Sequence, residues 1–296
     1  MSRIFEALQR SEAERGTSSL TQSLSTAGDV LAVEREIPDA RSGFPDFASR
    51  QVYLPPDSRL VCLNASESLA AEKFRFLGVR LRQLQQQRGK LKKLLITSTI
   101  PEEGKSVVSA NLATVLSRKK PQRVLLLEGD LRRPVMGTRL GLGKLPGLSE
   151  WLQDGNREIG EIYHLEDAGF WLLPAGKPPE NPLELMQTGK LAELMERLNT
   201  WFDWIVIDSP PVLPLGDTSV WARFADGILL VTREGTTQKQ QLKRGLEALE
   251  QAKLLGTVLN SCNSTEHSYY YYRYQPKTTA LPGQVSKAQS QTGIDP

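Results

Sequence analysis

Cysteine is scarce in this chain of 296 residues, and a long apolar run is lacking. Two cysteines, Cys62 and Cys262, are too few for a disulfide framework, so a reducing compartment is expected. No stretch approaches the roughly 18 apolar residues of a membrane-spanning helix, and no charged leader followed by an apolar segment is present. We therefore predict a cytoplasmic protein, recruited to the inner face of the cell membrane only by a partner.

An excess of one charge is lacking as well. The chain has 37 lysines and arginines against 34 acidic residues, which gives a formal net charge of +3. So small an excess gives no global case for nucleic acid binding, and no nucleic acid partner is predicted. Hydrophobic residues make up 39% of the chain, which is enough for one good-sized core.

Composition divides the chain into four predicted parts. Residues 1–15 have the pattern of a short amphipathic helix, with a frayed terminal helix as the alternative. Residues 16–58 are rich in Ser, Thr, Gly, Pro and Asp, which predicts a flexible linker. Residues 59–262 carry the periodic apolar patterns of a folded domain, and residues 263–296 are predicted to be a disordered, tyrosine-rich tail.

Short apolar runs alternate with helical patterns between residues 91 and 262. Strands too apolar to have a wet face are typical of a parallel sheet with helices on both sides. The predicted fold class is therefore α/β, with one doubly wound, mostly parallel sheet. A helical pattern from Ser66 to Gln87 precedes it, and its basic faces are either solvated or an oligomer contact.

A phosphate-binding loop is predicted where TSTIPEEGKS follows a strand pattern and opens a helix. Backbone N–H groups at a helix N-terminus bind phosphate oxygens, so Lys105 is expected at the β and γ phosphates and Ser106 at Mg²⁺. The first glycine of the usual motif is replaced by Thr99, so the match is imperfect. The predicted nucleotide contacts of the loop are Thr99, Glu102, Glu103, Gly104, Lys105, Ser106 and Val107.

Acidic residues end two further apolar strand patterns. Glu128 and Asp130 follow VLLL, and Asp208 follows WIVI, at the strand ends where ligands bind in parallel sheets. Asp208 is placed like a Walker B carboxylate, with an ordinary capping aspartate as the alternative. Asn260 ends a last strand and is expected either to pair with adenine or to form a turn.

These residues give two overlapping predicted sets. The catalytic set is Lys105, Glu128, Asp130 and Asp208. The metal-binding set is Ser106, Asp130 and Asp208, with ATP and Mg²⁺ as the predicted cofactors.

Six ordered motifs between Glu72 and Asn260 resemble the bacterial tyrosine kinase family. They are TSTIPEEGKSVVSANLA, VLLLEGDLRRP, LPAGKPPENPLELM, FDWIVIDSPPVLPLGD, ADGILLVTREGTT and LLGTVLN. The resemblance implies a deviant P-loop fold related to MinD and ParA, and an autokinase of capsule or exopolysaccharide synthesis and export. It also implies a separate membrane adaptor and a tyrosine phosphatase as partners.

The resemblance further implies transfer of the ATP γ-phosphate to clustered C-terminal tyrosines. Five of the seven tyrosines fit that role, with an aromatic sticky patch as the alternative: Tyr269, Tyr270, Tyr271, Tyr272 and Tyr274. A homo-oligomer is implied by a Glu-x-x-Arg-x-x-Arg helix pattern, which matches at Glu72 and Arg75.

Two positions depart from the family pattern. Glu128 stands where the family has the first Walker A′ aspartate, and Gly78 stands where its last helix arginine falls, although Arg80 is nearby. One added methylene at a catalytic carboxylate can weaken catalysis. Two competing functions therefore stay open: a nucleotide-switched P-loop ATPase that acts by partner binding, and a pseudokinase scaffold.

Overall fold

The computed structural model describes residues 43–55, 58–154, 158–213, 216–250 and 253–262. The predicted N-terminal helix, the linker up to residue 42 and the tyrosine-rich tail lie outside the described residues. The chain divides into two compact units after Phe44, and the second unit contains the sheet.

Eight strands form one sheet in this unit. Their order is β1-β4-β5-β3-β6-β2-β7-β8, and every neighbouring pair is parallel except the antiparallel pair β4 and β5. The predicted mostly parallel sheet is confirmed. The strands are β1 (Ser49–Arg50), β2 (Lys93–Ser98), β3 (Val124–Glu128), β4 (Tyr163–Leu165), β5 (Phe170–Leu173), β6 (Trp204–Asp208), β7 (Gly227–Arg233) and β8 (Leu254–Asn260).

Helices connect and cover these strands. The longest described helix has Ser68 as its N-cap residue, whose hydroxyl accepts a hydrogen bond from the N–H of Ala71. Its C-cap residue is Gly89, which has a left-handed backbone conformation. The helices are α1 (Val61–Asn64), α2 (Leu69–Arg88), α3 (Lys105–Ser117), α4 (Met136–Arg139), α5 (Leu148–Asp154), α6 (Pro182–Met186), α7 (Gly189–Trp201), α8 (Asp217–Phe224) and α9 (Lys239–Glu247).

The core lies on both faces of the central strands. Every residue of β3 and of β6 is buried. Because successive side chains of a strand point to opposite faces, such strands must be covered on both sides. Helix α3, of which eleven residues are buried, packs against one face. The doubly wound arrangement predicted from the apolar strands is thus confirmed.

The sheet begins earlier in the chain than the predicted domain start at residue 59. Residues 49–50, predicted as linker, form β1 and pair with β4, where Ser49 lies opposite His164. The ring of Phe47 packs edge-on against Trp201, with 5.9 Å between the ring centroids. Only two residues pair and both are exposed. This edge strand therefore has no alternating apolar pattern by which the sequence could reveal it. For residues 45–55 the linker prediction is therefore corrected.

Candidate nucleotide-binding site

The predicted phosphate loop connects β2 to α3, at the carboxyl edge of the sheet. Glu102 and Gly104 both have positive φ, 66° and 92°. A Cβ on Gly104 would lie 2.1 Å from the side-chain nitrogen of Asn260, so glycine is required here by both backbone and space. Helix α3 starts directly after it, at Lys105, and its first N–H groups face the loop as a phosphate site requires.

Thr99 occupies the position of the missing first glycine. Its side chain is fully buried, and its hydroxyl makes no hydrogen bond to any residue that the structure describes. A Cβ on Gly245 would lie 3.0 Å from this hydroxyl, so α9 packs closely against the loop here. Thr99 therefore fills the space between the loop and α9.

Glu103 connects the phosphate loop to neighbouring segments by hydrogen bonds. One of its carboxylate oxygens accepts a hydrogen bond from the N–H of Ile100 at 2.7 Å, and the other accepts one from the hydroxyl of Thr237. Its backbone carbonyl accepts a hydrogen bond from the side-chain nitrogen of Asn260 at 2.9 Å. Nucleotide contact by Glu103 and Asn260 stays a prediction, and in this structure both side chains bond to protein.

Lys105 lies among buried carboxylates. Its ammonium is 3.1 Å from a carboxylate oxygen of Asp130, so the two form an ion pair. Burial lowers the pKa of Lys105, but Asp208 and Asp130 raise it, and the net pKa is above the usual value. Lys105 is therefore positively charged at neutral pH, which favours its predicted contact with phosphate.

Asp208 ends β6 and is fully buried. One of its oxygens accepts a hydrogen bond from the hydroxyl of Ser109 at 3.2 Å, and the other has no hydrogen-bond donor among the described residues. Burial raises the pKa of Asp208, whereas Lys105 and then Ser106 oppose that rise. A buried carboxylate oxygen without a donor is a position that a cation or an ordered water can fill.

The residues around Asp208 fit magnesium. Within the described ranges no group of three or more His, Cys, Asp or Glu residues forms a complete metal site. Mg²⁺ needs no such group, because it takes one or two protein oxygens and completes its shell with phosphate oxygens and water. The free oxygen of Asp208 and the hydroxyl of Ser106, only 5% exposed, provide oxygens of that kind.

Glu128 ends β3 and lies opposite Asp208 in the sheet register. Its Oε1 accepts hydrogen bonds from the N–H groups of Val135 at 2.5 Å and Met136 at 2.7 Å, and its Oε2 accepts one from Ala175 at 3.0 Å. Burial raises the pKa of Glu128 against these three bonds, which lower it. Glu128 thus joins β3 to the segments at residues 135 and 175.

A bidentate ion pair beside the site was not predicted from the sequence. The guanidinium of Arg132 contacts both carboxylate oxygens of the buried Asp217, at 2.7 and 3.0 Å. The indole N–H of Trp221 donates to the backbone carbonyl of Gly129 at 3.0 Å. The sequence features that could have predicted this ion pair are the two arginines of DLRRP and Asp217, which follows the strand that ends in Asp208. These contacts fix the segment that carries Asp130.

The predicted oligomer helix is α2. Arg75 bonds within its own chain, to the carboxylate of Glu72 at 2.6 Å and to the carbonyl of Ser66 at 2.7 Å. A Cβ on Gly78 would lie 2.5 Å from a methyl carbon of Val115 in α3. Close packing of α2 on α3 therefore accounts for the glycine where the family pattern has arginine.

The phosphate loop, the partly buried Lys105 and the acidic strand ends together define a P-loop nucleotide-binding domain. The chain is 31% identical over 215 residues to the tyrosine-protein kinase YwqD of Bacillus subtilis, with 72% of this chain and 90% of that protein covered. It therefore belongs to the bacterial tyrosine-protein kinase family, and the predicted enzyme class is confirmed. No protein-family model matches the chain.

Solved structures agree with this assignment. The chimerical protein CapA2B2 superposes with a TM-score of 0.63 at 30% identity, covering 75% of this chain and 96% of that one. The kinase domain of the Escherichia coli tyrosine kinase ETK gives a TM-score of 0.62 at 28% identity, covering 69% and 82%. The family also contains longer proteins, and this chain spans 24% of the tyrosine-protein kinase ptk of Acinetobacter johnsonii.

Among the described residues, none of the helices is both long and apolar enough to span a bilayer.

Proposed function

We propose that this chain is an ATP-dependent autokinase that phosphorylates its own C-terminal tyrosine cluster. The observation that carries the proposal is the partly buried Lys105 beside the buried Asp130 and Asp208 at a phosphate loop, in a member of the bacterial tyrosine kinase family. Five tyrosines lie within the six positions from 269 to 274, after the last strand. A kinase whose substrate is in its own chain gains effective concentration from the linkage.

The protein groups have separate roles in this proposal. The N–H groups at the start of α3 bind the phosphates, and Lys105 carries positive charge to the β and γ phosphates. Ser106 and Asp208 would hold Mg²⁺, which would neutralise phosphate charge when bound. In the transfer, the tyrosine oxygen bonds to the γ-phosphorus, the bond to the leaving ADP oxygen breaks, and the phenolic proton passes to a nearby carboxylate.

Asp130 is the carboxylate that we assign to that proton. One of its oxygens is 3.1 Å from the ammonium of Lys105, and the one backbone hydrogen bond that it accepts among the described residues comes from Arg133 at 3.1 Å. Glu128, which the sequence also made a candidate, bonds to three backbone N–H groups. We therefore assign Glu128 a positioning role, in which it holds the segment after β3.

The cellular setting of the proposal is regulation of capsule or exopolysaccharide synthesis and export. A membrane-anchored adaptor recruits the kinase to the inner face of the membrane and completes the nucleotide site, and a phosphatase removes the tail phosphates. Copies associate through α2, where Phe76 and Val79 are 73% and 50% exposed. Each added phosphate carries about −1.5 to −2 charges, so several on one tail oppose that association.

The test is incubation of the full chain with magnesium-ATP, with and without a candidate adaptor fragment. Phosphate on Tyr269 to Tyr274 is mapped by mass spectrometry, with Lys105→Ala as the inactive control and Lys119→Ala as the matched surface control. We expect tail phosphate in the unmodified chain and in Lys119→Ala, and none in Lys105→Ala. ATP hydrolysis with an unmodified tail would contradict the proposal.

A pseudokinase scaffold is the second candidate, and the engagement of Glu128 by backbone N–H groups favours it. A scaffold binds ATP without turnover, so the same incubation would show nucleotide bound and neither ADP nor phosphotyrosine formed. A nucleotide switch would instead form ADP without phosphotyrosine.

A further inference from the structure

Basic side chains gather at the amino edge of the sheet, opposite the phosphate loop. Strands β2, β3, β6, β7 and β8 are parallel, so their first residues lie along one edge. Four chain segments reach this edge with lysine or arginine, at residues 88–93, 118–123, 223 and 253. Among the exposed cations here, Arg118 donates to the backbone carbonyl of Cys62 at 2.6 Å. The other five, which we name the basic face, are Arg88, Lys90, Lys119, Lys120 and Arg223.

Glu250 pairs with Lys253 at 3.2 Å at this edge, and two aspartates there bond to the backbone. Asp226 accepts hydrogen bonds from the N–H groups of Lys92 and Lys93, at 3.0 and 2.7 Å. Asp203 accepts one from the N–H of Arg123 at 2.7 Å. These two carboxylates hold the starts of β2 and β3.

A cavity of about 470 Å³ opens between the cations of this edge. Its acidic lining residues are Glu196 and Asp226, and Asp226 is also 3.5 Å from the ammonium of Lys93. Its basic lining residues outnumber them: Arg88, Lys90, Lys93, Arg223 and Lys253. The balance favours an anionic ligand over a cationic one.

We propose that the basic face binds the surface of an anionic phospholipid bilayer. The face follows five adjacent strands, about 19 Å across at strand spacing, and so offers several cations to one plane of headgroup phosphates. Strand β8 runs from this edge to the opposite one and ends beside Cys262, where the tail starts. A bilayer at the basic face therefore leaves the nucleotide site and the tail start directed away from the lipid.

A membrane suits this face better than single-stranded nucleic acid does. Proteins that bind single strands combine cations with exposed aromatic rings on which the bases stack. Among the described residues the exposed large hydrophobic side chains lie elsewhere, and none belongs to a loop that precedes β2, β3, β7 or β8: Tyr53, Phe76, Val79, Leu213 and Leu259. Lipid phosphates require no stacking, so cations alone suffice.

The test is co-sedimentation of the full chain with vesicles, and it requires no kinase activity. One set contains phosphatidylcholine alone, and the other adds phosphatidylglycerol. Each lysine or arginine near an anionic surface strengthens binding about fivefold. We therefore expect the triple variant Arg88→Glu, Lys90→Glu, Lys119→Glu to bind phosphatidylglycerol vesicles at least about 100-fold more weakly.

The matched control reverses three exposed lysines outside the basic face, in Lys144→Glu, Lys177→Glu and Lys239→Glu. Circular dichroism checks that both triple variants are folded. Retained vesicle binding in the control, loss in the basic-face variant and weakening by salt would support the proposal. Equal binding by both variants, or binding of an RNA oligonucleotide without binding of vesicles, would overturn it.

Discussion

Two neighbouring strand ends, at Glu128 and Asp208, look alike in sequence and differ in structure. Both carboxylates follow apolar strands, lie opposite each other in register and are almost fully buried. Among the described residues, Glu128 accepts three backbone hydrogen bonds through its two oxygens, whereas Asp208 accepts one from the hydroxyl of Ser109 and has no donor at its other oxygen. The number of donors, rather than burial, therefore separates a carboxylate that holds the fold from one that can bind a ligand.

The largest effect is expected from substitution of Lys105, the cation that pairs with Asp130 and stabilises the charge of Asp208. Lys105→Ala removes the charge that stabilises the transferring phosphoryl group, so autophosphorylation should fall at least about 100-fold. Phosphotyrosine formed per minute is the measurement. The conservative variant Lys105→Arg keeps the positive charge. Higher activity in Lys105→Arg than in Lys105→Ala would show that the charge of this side chain contributes to phosphorylation. If Lys105→Ala were nearly as active as the unmodified chain, the result would contradict a role for Lys105 in phosphoryl transfer.

Asp208→Asn should affect activity and stability differently. Loss of a magnesium ligand should weaken magnesium-dependent phosphorylation by about 10- to 100-fold. Because burial raises the pKa of Asp208 above its ordinary 3.8, its charged form opposes folding at neutral pH. Urea unfolding without nucleotide should therefore show no loss of stability in the variant.

The same pKa shift predicts a pH dependence. The folded state binds the proton of Asp208 more readily than the unfolded state, so stability should rise as the pH falls from the raised pKa toward 3.8. Asp208→Asn should reduce that rise. A steeper dependence in the variant would contradict the raised pKa.

Glu128→Asp should show the opposite pattern to Asp208→Asn. The shorter side chain cannot reach the N–H groups of Val135, Met136 and Ala175 together, so buried donors lose their acceptor. We expect the free energy of unfolding to fall by about 1–3 kcal/mol, measured in urea. A gain of phosphorylation in this variant would instead show that aspartate is the better catalytic group here.

Asn260→Ala should give the smallest effect, and it distinguishes two roles. Its side chain holds the carbonyl of Glu103, so its loss should weaken ATP and GTP binding alike, by about two- to tenfold. Dissociation constants for both nucleotides are the measurement. If Asn260 pairs with adenine instead, ATP binding alone should weaken.

The pattern of the sequence predicted the sheet and the strand–loop–helix element around Lys105 well. Fully apolar strands and the strand–loop–helix context around Lys105 carry strong local signals, and both elements lie as predicted. The two-residue strand β1 was missed because so short an edge strand leaves no period. The hydrogen-bond partners of Glu128 and Glu103 could not be predicted from the sequence either, because Ala175 and Thr237 lie far from them along the chain.

Replacing the five tail tyrosines together tests the central claim most directly. The variant changes Tyr269, Tyr270, Tyr271, Tyr272 and Tyr274 to phenylalanine, and the measurement is total phosphate incorporated from radiolabelled ATP at unchanged ATP affinity. We predict that incorporation falls to the level of Lys105→Ala. Incorporation equal to that of the unmodified chain would contradict the tail as the substrate.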